Sequence, residues 1–149
     1  MIQDYSLNPA SIDAQSGVIW PYQNASNVTP FDDQHPLDVS VKDCDNRTFC
    51  VWYLSPLWQF SDANSTKYAL LGESDKWTVV SRQRITSIKT DAGKTQTTVS
   101  LQGAVGEVVN LSVYHGVLNV VNVKCVLSSS TGEGQLIISP STVTCSQSN

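Results

Sequence analysis

Arg84-Ile85-Thr86-Ser87-Ile88-Lys89-Thr90-Asp91-Ala92-Gly93-Lys94-Thr95-Gln96-Thr97-Thr98-Val99-Ser100-Leu101-Gln102 decides the fold class of this chain. Two runs suited to extended backbone, residues 84–90 and 95–102, flank Asp91-Ala92-Gly93-Lys94. A short polar connection with Gly between two such runs is a β-hairpin signal, because Gly and Asp tolerate the backbone angles of a tight turn.

The same grammar extends in both directions. Toward the C-terminus, Gly103-Ala104-Val105-Gly106 turns the chain into a strand over 107–114, and Gly116 turns it again into one over 117–127. Thr131-Gly132-Glu133-Gly134 leads to a strand over 135–139, and Pro140 separates that strand from 142–145. Toward the N-terminus, runs are expected over 76–80, 68–71 and 49–54, the last rich in aromatic and β-branched residues. Leu37, Val39 and Val41 alternate with Asp38, Ser40 and Lys42 at the strand period of two. Nine or ten short strands, with turn signals every 8–12 residues and no helical stripe, predict an all-β fold. The expected form is an antiparallel β-sandwich, jelly-roll-like, over residues 37–149.

Residues 1–36 read differently. They hold four of the six prolines (Pro9, Pro21, Pro30, Pro36) and no sustained periodicity. The expectation is an extended N-terminal arm whose apolar pieces dock on a sheet edge or groove. Those pieces are Ile2, Tyr5 and Leu7, then Val18, Ile19, Trp20 and Tyr22.

Composition narrows the class. A chain of 149 residues with 40% hydrophobic residues can bury one core. Its net charge of −4 and scattered basic residues argue against a nucleic-acid partner. No apolar run is long and uninterrupted enough for a membrane span. The first 20 residues lack a basic start and an apolar segment, so a secreted form would be a mature one.

Five Asn-x-Ser/Thr triplets begin at Asn24, Asn27, Asn46, Asn64 and Asn110, where random placement of the 9 Asn among 32 Ser and Thr gives about two. The excess points to a secreted, N-glycosylated surface, with each used asparagine facing solvent. Four cysteines, Cys44, Cys50, Cys125 and Cys145, fit two disulfides in such a compartment. Three pairings are possible; Cys44–Cys50 and Cys125–Cys145 are favoured because each closes a local loop. No C-x-x-C pair occurs, so no metal site and no cofactor is expected.

Chemistry has few carriers. His35 precedes Pro36, and His115 precedes Gly116, where it reads as a solvent-facing turn residue. No G-x-S-x-G elbow occurs. Asp32, Asp33, Asp43, Asp45, Glu73 and Asp75 could supply a glycosidase carboxylate pair, but adjacent acids usually lie on solvated loops. Asp43-Cys44-Asp45-Asn46 lacks the complete calcium-loop pattern. Trp52, Tyr53, Trp58, Phe60 and Trp77 offer aromatic faces. Alternation requires at least one of these rings to be buried, and Trp58 and Trp77 are the candidates for stacking on sugar.

Between Thr95 and Asn149 only Glu107, Lys124 and Glu133 are charged. Strands this poor in charge need cover from glycan, a partner subunit or a neighbour's arm, or outward Ser, Thr, Asn and Gln. The combined expectation is a non-catalytic secreted glycoprotein, a structural subunit of a homo-oligomer or filament joined by its N-terminal arm. The alternative is a carbohydrate-binding module or accessory domain of a secreted glycan-active protein.

Overall fold

The computed structural model describes residues 5–7, 16–22, 24–39 and 51–147. Ile2, the Asn46 triplet, Cys44, Cys50, Asp43 and Asp45 lie outside them. Every regular element among the described residues is a β-strand, and the chain divides into two compact units, Met1–Trp58 and Gln59–Asn149.

In the first unit, β1 (Tyr5–Leu7) pairs antiparallel with β4 (Leu37–Val39). A separate three-stranded sheet has β2 (Ser16–Pro21) between β3 (Thr29–Asp32) and β5 (Trp52–Pro56). The register sets Ile19 opposite Thr29 on one side and Leu54 on the other. Val18, Ile19 and Trp20 are 0%, 1% and 2% exposed. A run buried at successive positions reads as unbroken hydrophobicity rather than alternation, which is the pattern of a central strand. Tyr53 packs its ring 5.7 Å from Trp20 and 6.0 Å from Tyr22.

The second unit is an antiparallel β-sandwich. One sheet runs β11 (Asn119–Val126), β10 (Val108–His115), β7 (Lys67–Gly72), β6 (Trp58–Gln59), the last strand falling at the division between units. The other runs β13 (Val143–Gln147), β12 (Glu133–Ile138), β9 (Thr97–Gln102), β8 (Ile85–Thr90). Successive strand pairs therefore alternate between sheets, while the β7–β10 and β9–β12 pairings knit each sheet across its middle.

The strands have the expected causes. In β9, Thr97, Val99 and Leu101 turn inward, and in β12 Gly134, Leu136 and Ile138 do. In β10, Val109, Leu111, Val113 and His115 are buried, with a register shift at Ser112/Val113 against β7. Phe60 stacks on Tyr68 with centroids 4.2 Å apart. The Tyr68 hydroxyl reaches Thr97 Oγ1 of the opposing sheet at 2.6 Å. Cys125 and Cys145 form a disulfide that joins β11 to β13 across the sandwich, with Cα atoms 5.4 Å apart.

One expected strand, over 76–80, is absent. Residues 74–80 form turns and bends instead. Gly72 ends β7 at φ +83, where Glu73 N–H donates to Val79 C=O at 2.7 Å and closes the loop. Two turns use one device. Asp62-Ala63-Asn64-Ser65-Thr66 and Asp91-Ala92-Gly93-Lys94-Thr95 each have an Asp carboxylate accepting from the Thr backbone N–H and hydroxyl four residues on. Each places its fourth residue, Ser65 or Lys94, at φ 50. The turns adjoin, since Ser61 N–H donates to Lys94 C=O at 2.9 Å.

Candidate functional site

The charged groups that converge in the second unit are Glu73, Lys76, Arg84 and Glu107. Glu73 follows the left-handed Gly72, Arg84 precedes β8, and Glu107 precedes β10. Arg84 Nε donates to Glu73 Oε2 at 3.2 Å, and its two terminal nitrogens donate to Glu107. Arg84 Nη1 also donates to Gln102 C=O at 2.8 Å. Lys76 Nζ lies 2.6 Å from Glu73 Oε1. The Glu73 and Arg84 side chains are only 6% and 11% exposed, so this pair is desolvated, whereas Glu107 and Lys76 are 30% and 48% exposed.

Its electrostatics follow from contact. Hydrogen bonding from Arg84, with help from the Ala104 amide, holds the Glu107 carboxyl below its ordinary value, so it stays ionised. The same bond to Glu107 raises Arg84 further, against the opposing effect of burial. Gly103 leaves room for the ends of these side chains. A Cβ at that position would collide with Arg84 Nη1 and Glu107 Oε2.

Beside the network lies a cleft of about 710 Å³, lined by Glu73, Lys76, Thr78, Gln83, Arg84 and Gln102 among others. Trp77, between two of these lining residues in sequence, is 63% exposed. Trp58 is half-buried on β6. The two sugar-stacking candidates thus differ in exposure.

His115 corrects its sequence reading. It is fully buried rather than solvent-facing. Nε2 lies 2.9 Å from Ser139 C=O, while Nδ1 accepts from the N–H groups of Val117 and Leu118 at 3.3 Å each. An acceptor Nδ1 requires the Nε2–H tautomer, so the ring ties the β10–β11 turn to the β12–β13 connection. The alternation of β10, which turns Val109, Leu111, Val113 and then position 115 inward, was the available signal. His35 is exposed, with Nδ1 2.9 Å from Asp32 Oδ1. That hydrogen bond, with the His35 and Gln34 amides, holds Asp32 below its ordinary value in a local turn.

Of the expected carboxylate candidates, Glu73 belongs to the network; Asp33 and Asp75 are exposed. Arg84 and Glu107 had not been singled out. Scarcity was the signal for Glu107, one of three charges in the final third of the chain. Among the described residues no group of three or more His, Cys, Asp or Glu converges in a metal-binding arrangement. No described helix is long and apolar enough to cross a membrane.

Asn24, Asn27, Asn64 and Asn110 are all exposed. Asn110 projects from the outer face of β10, opposite Lys124. The hydroxyl of its triplet, Ser112, is buried, donating to Asn122 Oδ1 at 2.7 Å and meeting Ser74 Oγ at 2.8 Å. Tyr5 and Leu7 pair through β1, and Val18, Ile19, Trp20 and Tyr22 belong to or adjoin β2. No family model, curated protein or solved structure matches this chain.

Proposed function

We propose that the protein is a non-catalytic secreted glycoprotein, a structural subunit of an extracellular filament or coat built from copies of itself. One contrast carries this reading. The four described triplet asparagines face solvent, whereas the most apolar piece of the N-terminal segment is buried in a sheet. β2 is held by backbone pairing on both sides and by three buried side chains. Strand exchange needs these features, since a neighbour's copy of β2 could make the same bonds while joining two subunits. On this reading the N-terminal segment is the extended arm of a jelly-roll-like body, and the glycans coat the outside. The Cys125–Cys145 disulfide suits an oxidising compartment.

Cysteine cross-linking tests the exchange. Ile19 and Leu54 are direct partners, so I19C and L54C chains, each carrying one change, are mixed and oxidised at assembly concentration. Covalent dimers between the two chains support exchange. If only a chain carrying both changes closes the bond, and does so within itself, β2 is not the joining element.

A further inference from the structure

We propose that the described Asn-x-Ser/Thr triplets divide by folding state. Asn24 and Asn27 accept an oligosaccharide on the folded protein, whereas Asn64 and Asn110 accept one only before their turn and strand have formed. The inference rests on the glycoprotein reading above and adds when each site is open to the transferring enzyme.

The chemistry sets the requirement. The asparagine Nδ2 attacks C1 of the first sugar of a polyprenyl-diphosphate-linked oligosaccharide. The N–C1 bond forms, the C1–O bond to the diphosphate breaks, the lipid diphosphate leaves, and Nδ2 gives up one proton. The acceptor motif also demands a hydroxyl two residues on. A demand for Ser or Thr there means that the enzyme must contact that hydroxyl as well as the amide. An exposed asparagine is therefore not sufficient.

The two halves of the set differ in that hydroxyl. Asn24 and Ser26 are both exposed, and so are Asn27 and Thr29. Their segment is a turn in which Asn27 N–H donates to Asn24 C=O at 3.0 Å, leading into β3, the outer strand of its sheet. Asn64 is exposed, but Thr66 is only 4% exposed. The Thr66 N–H and hydroxyl donate to the Asp62 carboxylate at 2.7 and 2.8 Å, and its C=O accepts from Phe60 N–H at 2.9 Å. Asn110 is exposed, but Ser112 is only 2% exposed and its hydroxyl donates to Asn122 Oδ1 at 2.7 Å. Ser112 also stands in register with Asn122 on one side and Gly72 on the other. Presenting either hydroxyl to an enzyme means undoing a closed turn or a strand paired on both sides, and such opening has its own free-energy cost.

The full chain, made without N-glycans and folded with its disulfide, is incubated with a purified oligosaccharyltransferase and a lipid-linked donor. Peptides spanning each triplet are treated alongside, and sites are scored by mass spectrometry. Asn24 and Asn27 are scored as one loop, since a glycan on one shields the other. Expected is transfer to every peptide. In the folded chain the 24–29 loop should keep a rate near that of its peptide, while Asn64 slows about tenfold or more and Asn110 further still, because each waits on local opening. Asp62→Ala, which releases the Thr66 hydroxyl, should raise transfer to Asn64 in the folded chain and leave Asn110 as it was. A thermal melt checks that this variant is folded; if it is not, the comparison of parent with peptides decides. Transfer to folded Asn64 or Asn110 at the peptide rate, or a folded 24–29 loop left bare while its peptide is modified, overturns the proposal and leaves the glycoprotein reading standing. Peptides that all stay bare overturn both.

Discussion

A single guanidinium organises the polar chemistry of the sandwich. Arg84 bonds two carboxylates and a main-chain carbonyl, and Glu73 is nearly as buried as Arg84 itself. Arg84→Ala would strand Glu73 in a desolvated site with only the half-exposed Lys76 for company. The expected loss is about 3 kcal/mol, read as a lower urea midpoint at unchanged slope. Arg84→Lys recovers only part, because an ammonium cannot reproduce the forked contacts. Glu107 adds a pH dependence with a definite sign. Its folded-state pKa lies below the ordinary value of 4.5, so its contribution is present above that value and is lost as pH falls through the folded one. Glu107→Gln should therefore flatten the acid limb of a stability-versus-pH curve. A variant as steep as the parent there would show that other carboxylates set that limb.

At the scale of elements, local chemistry was legible and non-local pairing was not. The β8–β9 hairpin could be read because Asp91, Gly93 and Thr95 build its turn within a few residues. The matching turn at Asp62 has no Gly to mark it in the sequence. β2 lies in the segment expected to be an arm; its partner β5 begins about 30 residues on, and no alternation marks a strand buried at successive positions. The 76–80 run was read as a strand from its apolar residues, but the Gly72 turn and the Glu73–Val79 hydrogen bond commit it to a loop. Glu73, Arg84 and Glu107 come from three separate connections, so their meeting could not be read from spacing. The paired turns make a test of this local control. Lys94 sits at φ 50, a region that costs a residue with a Cβ and costs Gly nothing. Lys94→Gly should raise stability by roughly 0.5 kcal/mol, the relief being offset by the greater freedom of Gly in the unfolded chain. Asp91→Ala, which removes the acceptor for the Thr95 and Gln96 amides, should lower the thermal midpoint instead.

The sandwich as a body is closed by one covalent tie among its described residues, from edge strand β11 to edge strand β13. Cys125 and Cys145 are 20 residues apart. A loop of that length restricts the unfolded chain enough to contribute roughly 3 kcal/mol. Paired Cys125→Ala and Cys145→Ala changes should lower the urea midpoint accordingly; an unchanged midpoint would mean that packing between the sheets alone sets stability. The outer surface poses the remaining question, because this body carries few charges to keep its strands apart. Between Thr95 and Asn149 only three charges are available, yet Asn110 stands on the outer face of a central strand. A glycan there would hold a second sheet away from that face, doing the work that Lys or Glu does on other β-proteins. Material from a glycosylating secretory host should therefore exceed the 16.2 kDa of the bare chain. Enzymatic release that converts glycosylated asparagine to aspartate should mark Asn24, Asn27, Asn64 and Asn110. Asn110→Gln should then lower the concentration at which the protein begins to scatter light. If that variant stays as dispersed as the parent, the neutral Ser, Thr and Asn side chains of the outer face suffice, and Asn110 has no shielding role.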